Sequence, residues 1–288
     1  FEDAVERFGA TPEHQAICAQ LLDRQSYFVQ ALHGLKAASV LQLRVLALTD
    51  NRSLLVRTHI KLANYYAEFG AWEQSDFHSD QAEILAVEAS DLGMYIRAVD
   101  GRIQINALHF RGDFAKGIAR LEEMLHLLDT TSPLLADKEE LRGELLSSLT
   151  RIAIRYGDYA LSIRCGKRNL ARITQISHQE HRTWILSDVA LAELNAGLYP
   201  EAIGHLHEAL ALAGENGSRD DNGILKVNLC LALRQCGEFE QALAAGAEAI
   251  AILHALGHAR IEGQARNRVG HTLLALERWA DAYAEYGE

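Results

Sequence analysis

Thirteen histidines are many for 288 residues, and two clusters of them have side chains of the kind that bind metals or move protons: His178-Gln179-Glu180-His181, and His205 with His207. A zinc site needs three or four convergent ligands, usually at i, i+4 on one helix face or as paired thiolates. Neither cluster has that spacing. His205 and His207 stand two residues apart, about 200° around a helix, and so on different faces. Solvated histidines are the expectation. Cys18, Cys165, Cys230 and Cys236 form no CxxC pair. Four thiols allow two disulfides, but these lie in helical stretches, and reduced thiols in a cytosolic protein are the reading adopted. The acidic run Asp220-Asp221-Asn222 lacks the alternating ligands and closing Glu of a calcium loop, so residues 214–223 read as a solvated loop. No phosphate-binding loop, glycine-flanked serine nucleophile or HExxH occurs. Catalysis needs groups gathered in a pocket, so no catalytic residue, metal or cofactor is expected.

Any site in this chain must be positioned by a repeated unit. Gly112, Gly157, Gly197 and Gly237 each precede an aromatic by two residues (Phe114, Tyr159, Tyr199, Phe239) and a small residue by five (Gly117, Ser162, Ala202, Ala242). Gly70 fits, with Trp72 and Ser75, and a sixth copy carries Glu277 in the glycine place, followed by Trp279 and Ala282. The turn positions advance by 42, 45, 40, 40 and 40 residues. Apolar residues recur at helical spacing on either side; around Gly197 they include Ile185, Val189 and Leu194 before the turn and Ala202, Leu206 and Ala209 after it. Glycine suits a left-handed helix end, and Pro200 suits the first turn of the next helix, where its missing N–H costs nothing. The predicted unit is helix, turn, helix, with stops at Ser177, Gly217 and Gly257. The aromatic wedges between the two helices, and the small residue lets them approach closely. A single pair cannot bury its apolar faces alone, so copies must stack.

This pattern resembles the tetratricopeptide repeat family over residues 52–288, in the long-period variant of bacterial regulators and kinesin light chains. The family's usual period is about 34 residues. Its small residue, seven places before the turn glycine, is Ala63, Thr150, Ala190, Cys230 and Gly270 here, but Ile105 in the second copy. The apolar residue just before it is Leu62, Leu149, Val189, Leu229 and Val269, but Gln104 in the second copy, which is therefore irregular. The resemblance implies an all-α fold: a right-handed superhelical solenoid of antiparallel helix pairs, with five full repeats and a truncated sixth. Residues 1–51 are then an N-terminal helical cap or a degenerate leading repeat, with a helix starting at Thr11-Pro12 and a break near His33-Gly34.

The resemblance also implies where binding occurs. In the family, the first helix of each pair lines a concave groove at places 13, 10, 6, 3 and 2 before the turn glycine, and in the early repeats here these include Arg57, Asn64, Arg102, Asn106, His109, Arg151 and Arg155. In the later repeats they include Trp184, Ser187, Asn195, Ile224, Leu231 and Arg234. Arginine grips a carboxylate or phosphate with two parallel hydrogen bonds, and asparagine bonds a peptide backbone. Asn64, Arg102, Asn106, Arg151, Arg155 and Trp184 are the candidate groove residues, for a protein or peptide partner or a small anionic ligand. Ile60 and Ser147 interrupt the pattern. The alternative is that these arginines pair with Glu and Asp of adjacent helices.

With 28 Lys and Arg against 39 Asp and Glu, the net charge is −11, which offers no general attraction to nucleic acid or an anionic membrane. No run of about 18 apolar residues and no signal peptide is seen, so a soluble, cytoplasmic protein is expected. The start at Phe1 and the end inside the sixth pair read as a piece of something longer. Asp129-Thr130-Thr131-Ser132-Pro133, with Asp137 and Glu140 spaced as a capping box, reads as an inserted loop. Trp279, Ala282, Tyr283 and Tyr286 are expected to form an uncovered apolar edge and to promote self-association. The expected function is protein–protein interaction through the groove, without enzymatic activity. The alternative is the sensory or regulatory region of a larger bacterial signalling protein, such as a LuxR-like transcription activator or a GGDEF diguanylate cyclase.

Overall fold

The computed structural model describes residues 12–109, 111–130, 137–173, 179–216 and 219–287, and among them every regular element is a helix. The chain divides into two compact units, Phe1–Leu145 and Leu146–Glu288. The first holds α1 (Pro12–Leu48), α2 (Arg52–Glu68), α3 (Trp72–Glu88), α4 (Leu92–Leu108), α5 (Phe114–Thr130) and the start of α6 (Lys138–Tyr156). The second holds the rest of α6, then α7 (Tyr159–Ile173), α8 (Gln179–Asn195), α9 (Tyr199–Asn216), α10 (Arg219–Gln235), α11 (Phe239–Ala255), α12 (Ala259–Ala275) and α13 (Trp279–Gly287).

Local chemistry sets the ends of these helices. Asn51 caps α2, its side chain accepting from the Leu54 N–H at 3.0 Å, and Asp91 does the same for α4 through Met94. α1 bends at Gly34, at φ 81° and ψ 176°, next to the expected break. Each expected turn position from Gly70 to Gly237 is left-handed, and so is Glu277, at φ 58°, where the repeat lacks its glycine. The aromatic two places on is half-buried from Trp72 through Phe239, and the small residue five places on is buried at Ser75, Ser162, Ala202, Ala242 and Ala282. The two serines use the close approach in the same way. Ser75 Oγ donates to the Ala63 carbonyl and Ser162 Oγ to the Thr150 carbonyl, each at 2.9 Å and each tying the second helix to the first.

Successive helices pack on one another from α1 to α5 and from α7 to α13, and first helices also pack on one another: α2 on α4 in the first unit, and α8 on α10 and α10 on α12 in the second. At two places in the second unit, consecutive repeats lock through a glycine nine places after the turn and a valine on the following first helix. A Cβ at Gly166 would lie 2.3 Å from Val189 Cγ2, and one at Gly246 would lie 2.3 Å from Val269 Cγ2. The main core of the second unit, from Leu170 through Leu186, Leu206 and Leu225 to Ala245, is built by this stacking.

Three expectations need correction. Residues 214–216 belong to α9 and 219–223 to α10, so the polar stretch taken for a loop is helical wherever it is described. Asp129 and Thr130 likewise extend α5, and Asp137 and Glu140 turn their carboxylates to Arg97 instead of forming a capping box. The third concerns the second repeat. In the other turns, the residue after the turn position donates to the carbonyl five back, as in Ala71 to Tyr66, Asp158 to Ala153 and Leu198 to Glu193. At the second turn this donor is Arg111, to Asn106 at 2.7 Å, ahead of Gly112. Its first helix therefore ends two residues early, and offsets counted from Gly112 misplace every side chain of α4 by two. The cap at Thr11, the stops at Ser177 and Gly217, and Pro133 lie outside the described residues.

Candidate functional site

In the first unit the candidates stand on α2 and α4. Asn64 is exposed, and its amide donates to the Ile60 carbonyl at 3.0 Å. Arg102 does not face a neighbouring first helix. The two-residue shift puts it where other repeats carry Leu62, Val189 or Val269, turned to the preceding second helix. There it is held by two carboxylates of α3, Asp80 and Glu83, the latter 2.9 Å from its Nε. The reason is legible in α3 itself: Asp76, Asp80 and Glu83 recur at helical spacing and line the side that meets α4. Asn106, half-buried, shares the displacement.

In the shifted frame Asp100 takes the place counted for Arg102, and the groove place thirteen before the turn falls to Arg97. It is enclosed by the start of α6: Asp137 at 2.8 Å, Glu144 at 3.2 Å and Glu140 at 3.8 Å. Burial alone would lower the Arg97 pKa, but Glu144, Asp137 and Glu140 more than reverse it and hold it above its ordinary value. Glu144 is pushed up by burial, with Arg97 opposing. This cluster is saturated with acid, and counting residues from Gly112 missed it.

In the second unit Arg151 and Arg155 are exposed on α6, four residues apart. Arg151 lies near Asp188 of α8, whose pKa is raised to about 6 by burial, with the Arg151 charge pulling the other way. Trp184, on α8, is 58% exposed, and its indole N–H donates to Asp221 Oδ2 of α10 at 3.2 Å. The ring of His181 meets it edge-on, with centroids 5.8 Å apart. Asn195 bonds its own helix at the Leu191 carbonyl, 2.7 Å away. The described structure thus brings Trp184 together with Asp221, and Arg151 with Asp188, each across successive first helices.

The histidines correct a second expectation. His207 is exposed, but His205 bonds a wholly buried carboxylate, with Nδ1 2.6 Å from Glu193 Oε2, and Lys167 Nζ stands 3.3 Å from the other oxygen. His59 and His78, which sequence reasoning passed over, are both buried and share a hydrogen bond, Nδ1 to Nδ1 at 2.8 Å. Their signal was positional: each falls among the inward-facing places of its helix. Among the described residues no group of three or more His, Cys, Asp or Glu is arranged to hold a metal ion, and no helix is long and apolar enough to cross a membrane. None of the four cysteines is in a disulfide.

No protein-family model matches the sequence, and no curated protein is significantly similar to it. Solved structures are similar in fold. A signal-transduction ATPase with a tetratricopeptide repeat sensor, from Pyrococcus horikoshii, superposes on 96% of the chain with a TM-score of 0.71 at 14% identity. The apo quorum sensor NprR from B. thuringiensis covers 99% with a TM-score of 0.69 at 13% identity. The fold is that of the tetratricopeptide repeat. A Rap protein complexed with competence and sporulation factor covers 96%, with a TM-score of 0.65 at 13% identity. The chain spans 40% of the ATPase, 78% of NprR and 75% of the Rap protein.

Proposed function

We propose that this tetratricopeptide-type chain is a peptide- or protein-binding module whose contact surface is the exposed side of its first helices. The observation that carries the reading is Trp184. A large aromatic side chain left 58% exposed at a groove position, with its polar end fixed by Asp221, is a rigid anchor of the kind that dominates peptide interfaces. Arg151 and Arg155 lie one repeat earlier and supply positive charge for an anionic group on the partner. In the first unit Asn64 offers an exposed amide, and Arg102 is held by Asp80 and Glu83.

The test is to select peptides from a random library on the immobilised chain and measure their affinity by fluorescence polarisation. Trp184→Ala should weaken binding at least about tenfold, a loss of about 1.4 kcal/mol. Val87→Ala, an exposed apolar truncation on a second helix, should leave it unchanged. Failure to select any peptide, or equal affinity for Trp184→Ala, refutes the reading. A second reading, a sensory or regulatory region of a larger signalling protein, draws on the fold-level likeness to the sensor of the Pyrococcus ATPase and to the quorum sensor. In that case peptide binding would be the input of the signal.

A further inference from the structure

Two large apolar side chains of the second unit stand exposed at the same groove place, thirteen before the turn glycine, on successive first helices: Trp184 on α8, 58% exposed, and Ile224 on α10, 36% exposed. The next first helix, α12, carries Gln264 at that place, so the apolar pair ends with α10. α8 and α10 pack on one another. Asp221 joins the two anchors: its carboxylate accepts the Trp184 indole N–H at 3.2 Å, and it lies three residues before Ile224, about one helical turn along α10. Trp184 and Ile224 therefore belong to one patch with a carboxylate between them.

Helix packing limits what can cover both anchors at once. Packed helices stand about 8–10 Å apart. A β segment turns every second side chain to the same side, so its matching positions fall about 7 Å or about 13 Å apart, and neither spans the pair. An amphipathic helix would lay a continuous apolar stripe across the patch and press part of it onto Asp221. A polyproline II segment has about three residues per turn and rises about 3.1 Å per residue, so positions i and i+3 share a side about 9 Å apart. It is already extended when free and loses little freedom on docking against an aromatic ring. Charge then selects the residues between the anchors. Asp221 stands there, and Asp188, one turn along α8 from Trp184, adds a second carboxylate. A Lys or Arg at these positions is attracted, whereas an Asp or Glu is repelled.

We infer that the second unit binds a segment in polyproline II conformation that carries apolar side chains at i and i+3, seated on Trp184 and Ile224, with a basic residue between them. This ligand rests on the peptide-binding role proposed for Trp184 and gives it a spacing, a conformation and a charge.

Fluorescence polarisation with short labelled peptides, identical in their Gly-Ser flanks and differing only in a central Leu-Lys-Leu, Leu-Lys-Pro-Leu or Leu-Lys-Pro-Pro-Leu, measures the spacing. Leu-Lys-Pro-Leu should bind at least about tenfold more tightly than either of the others, and Leu-Glu-Pro-Leu about fivefold or more weakly than its lysine counterpart. Trp184→Ala and Ile224→Ser, both at exposed positions, should each weaken Leu-Lys-Pro-Leu at least about fivefold. Gln264→Ala, at the same place of α12, should leave it unchanged. Circular dichroism checks that the variants are folded. Binding that needs Trp184 but shows no preference for this spacing, or that Ile224→Ser leaves unchanged, overturns this ligand while the peptide-binding reading stands. So does a series that fails to bind when a random library still yields peptides that need Trp184. If neither the series nor the library binds, both readings fall.

Discussion

Lowering the pH from 7.5 to 4.5 should destabilise the first unit through the buried His59–His78 pair. With Nδ1 atoms 2.8 Å apart, one ring must donate and the other accept, so the bond holds a single proton and cannot survive full protonation of both rings. Tyr66 stacks on His78 at 5.3 Å and Phe77 meets it edge-on, which leaves little room for water to solvate an imidazolium. Burial first, and the neighbouring His78 second, lower His59 from 6.5 to about 4; burial also lowers His78. The folded state thus favours neutral rings, whereas the unfolded chain takes up protons as the pH drops below 6.5. Stability from His59 is complete above that value and is lost as the pH falls toward 4. At 1.36 kcal/mol per unit the ceiling is about 3 kcal/mol, and with partial relaxation about 2 kcal/mol should be observed. Urea denaturation followed by circular dichroism, at several pH values and constant ionic strength, measures it. In His59→Gln the amide can still bond His78 but does not titrate. The parent-minus-variant difference should be flat above pH 7 and shift by about 2 kcal/mol between 6.5 and 4.5. Parallel profiles for the two proteins, or an NMR titration of His59 near 6.5, would refute the reasoning.

Asp188 works in the opposite sense: its pKa is raised to about 6, so its stabilising contribution is present below 3.8 and lost as the pH rises through 6. Asp188→Asn should therefore be more stable than the parent by about 1–2 kcal/mol at pH 7.5, and the gain should vanish by pH 4 in the same urea assay. Gly246→Ala would place a methyl group 2.3 Å from Val269 Cγ2, and should lower stability by about 1–3 kcal/mol, with partial recovery in a Val269→Ala background. At the last helix, Trp279 and Tyr283 are 65% and 82% exposed, whereas Ala282 is buried and Tyr286 lies over Gly270. Sedimentation equilibrium should show concentration-dependent association that Trp279→Ser with Tyr283→Ser reduces; identical behaviour would remove this edge as an interface.

The repeat and its helices were legible because they rest on local constraints. A left-handed turn position, an aromatic two places on and a small residue five places on recur whatever surrounds them, and at Glu277 the backbone keeps its left-handed turn without the glycine. The caps at Asn51 and Asp91 are local in the same way, since each bonds an N–H three residues on. The candidate groove was less legible. Its residues were placed by counting from turn glycines, and the count fails where a turn gains two residues, as it does before Gly112. That slip set Arg102 at a groove place, passed over Arg97, and hid the carboxylates facing each.

Sequence alone determined the all-helical repeat, its period and its inward positions, because hydrophobic spacing and turn chemistry act over a few residues. Only the tertiary structure decided which charges meet. Arg151 finds Asp188 at a distance of 37 residues and Arg102 finds Asp80 at 22, while Arg234 and Arg268, 34 residues apart, find no carboxylate among the described residues. Such pairings depend on how one helix is rotated against the next. That rotation is set by packing details such as the Gly246–Val269 contact, in which both residues are ordinary apolar positions until the helices are brought together.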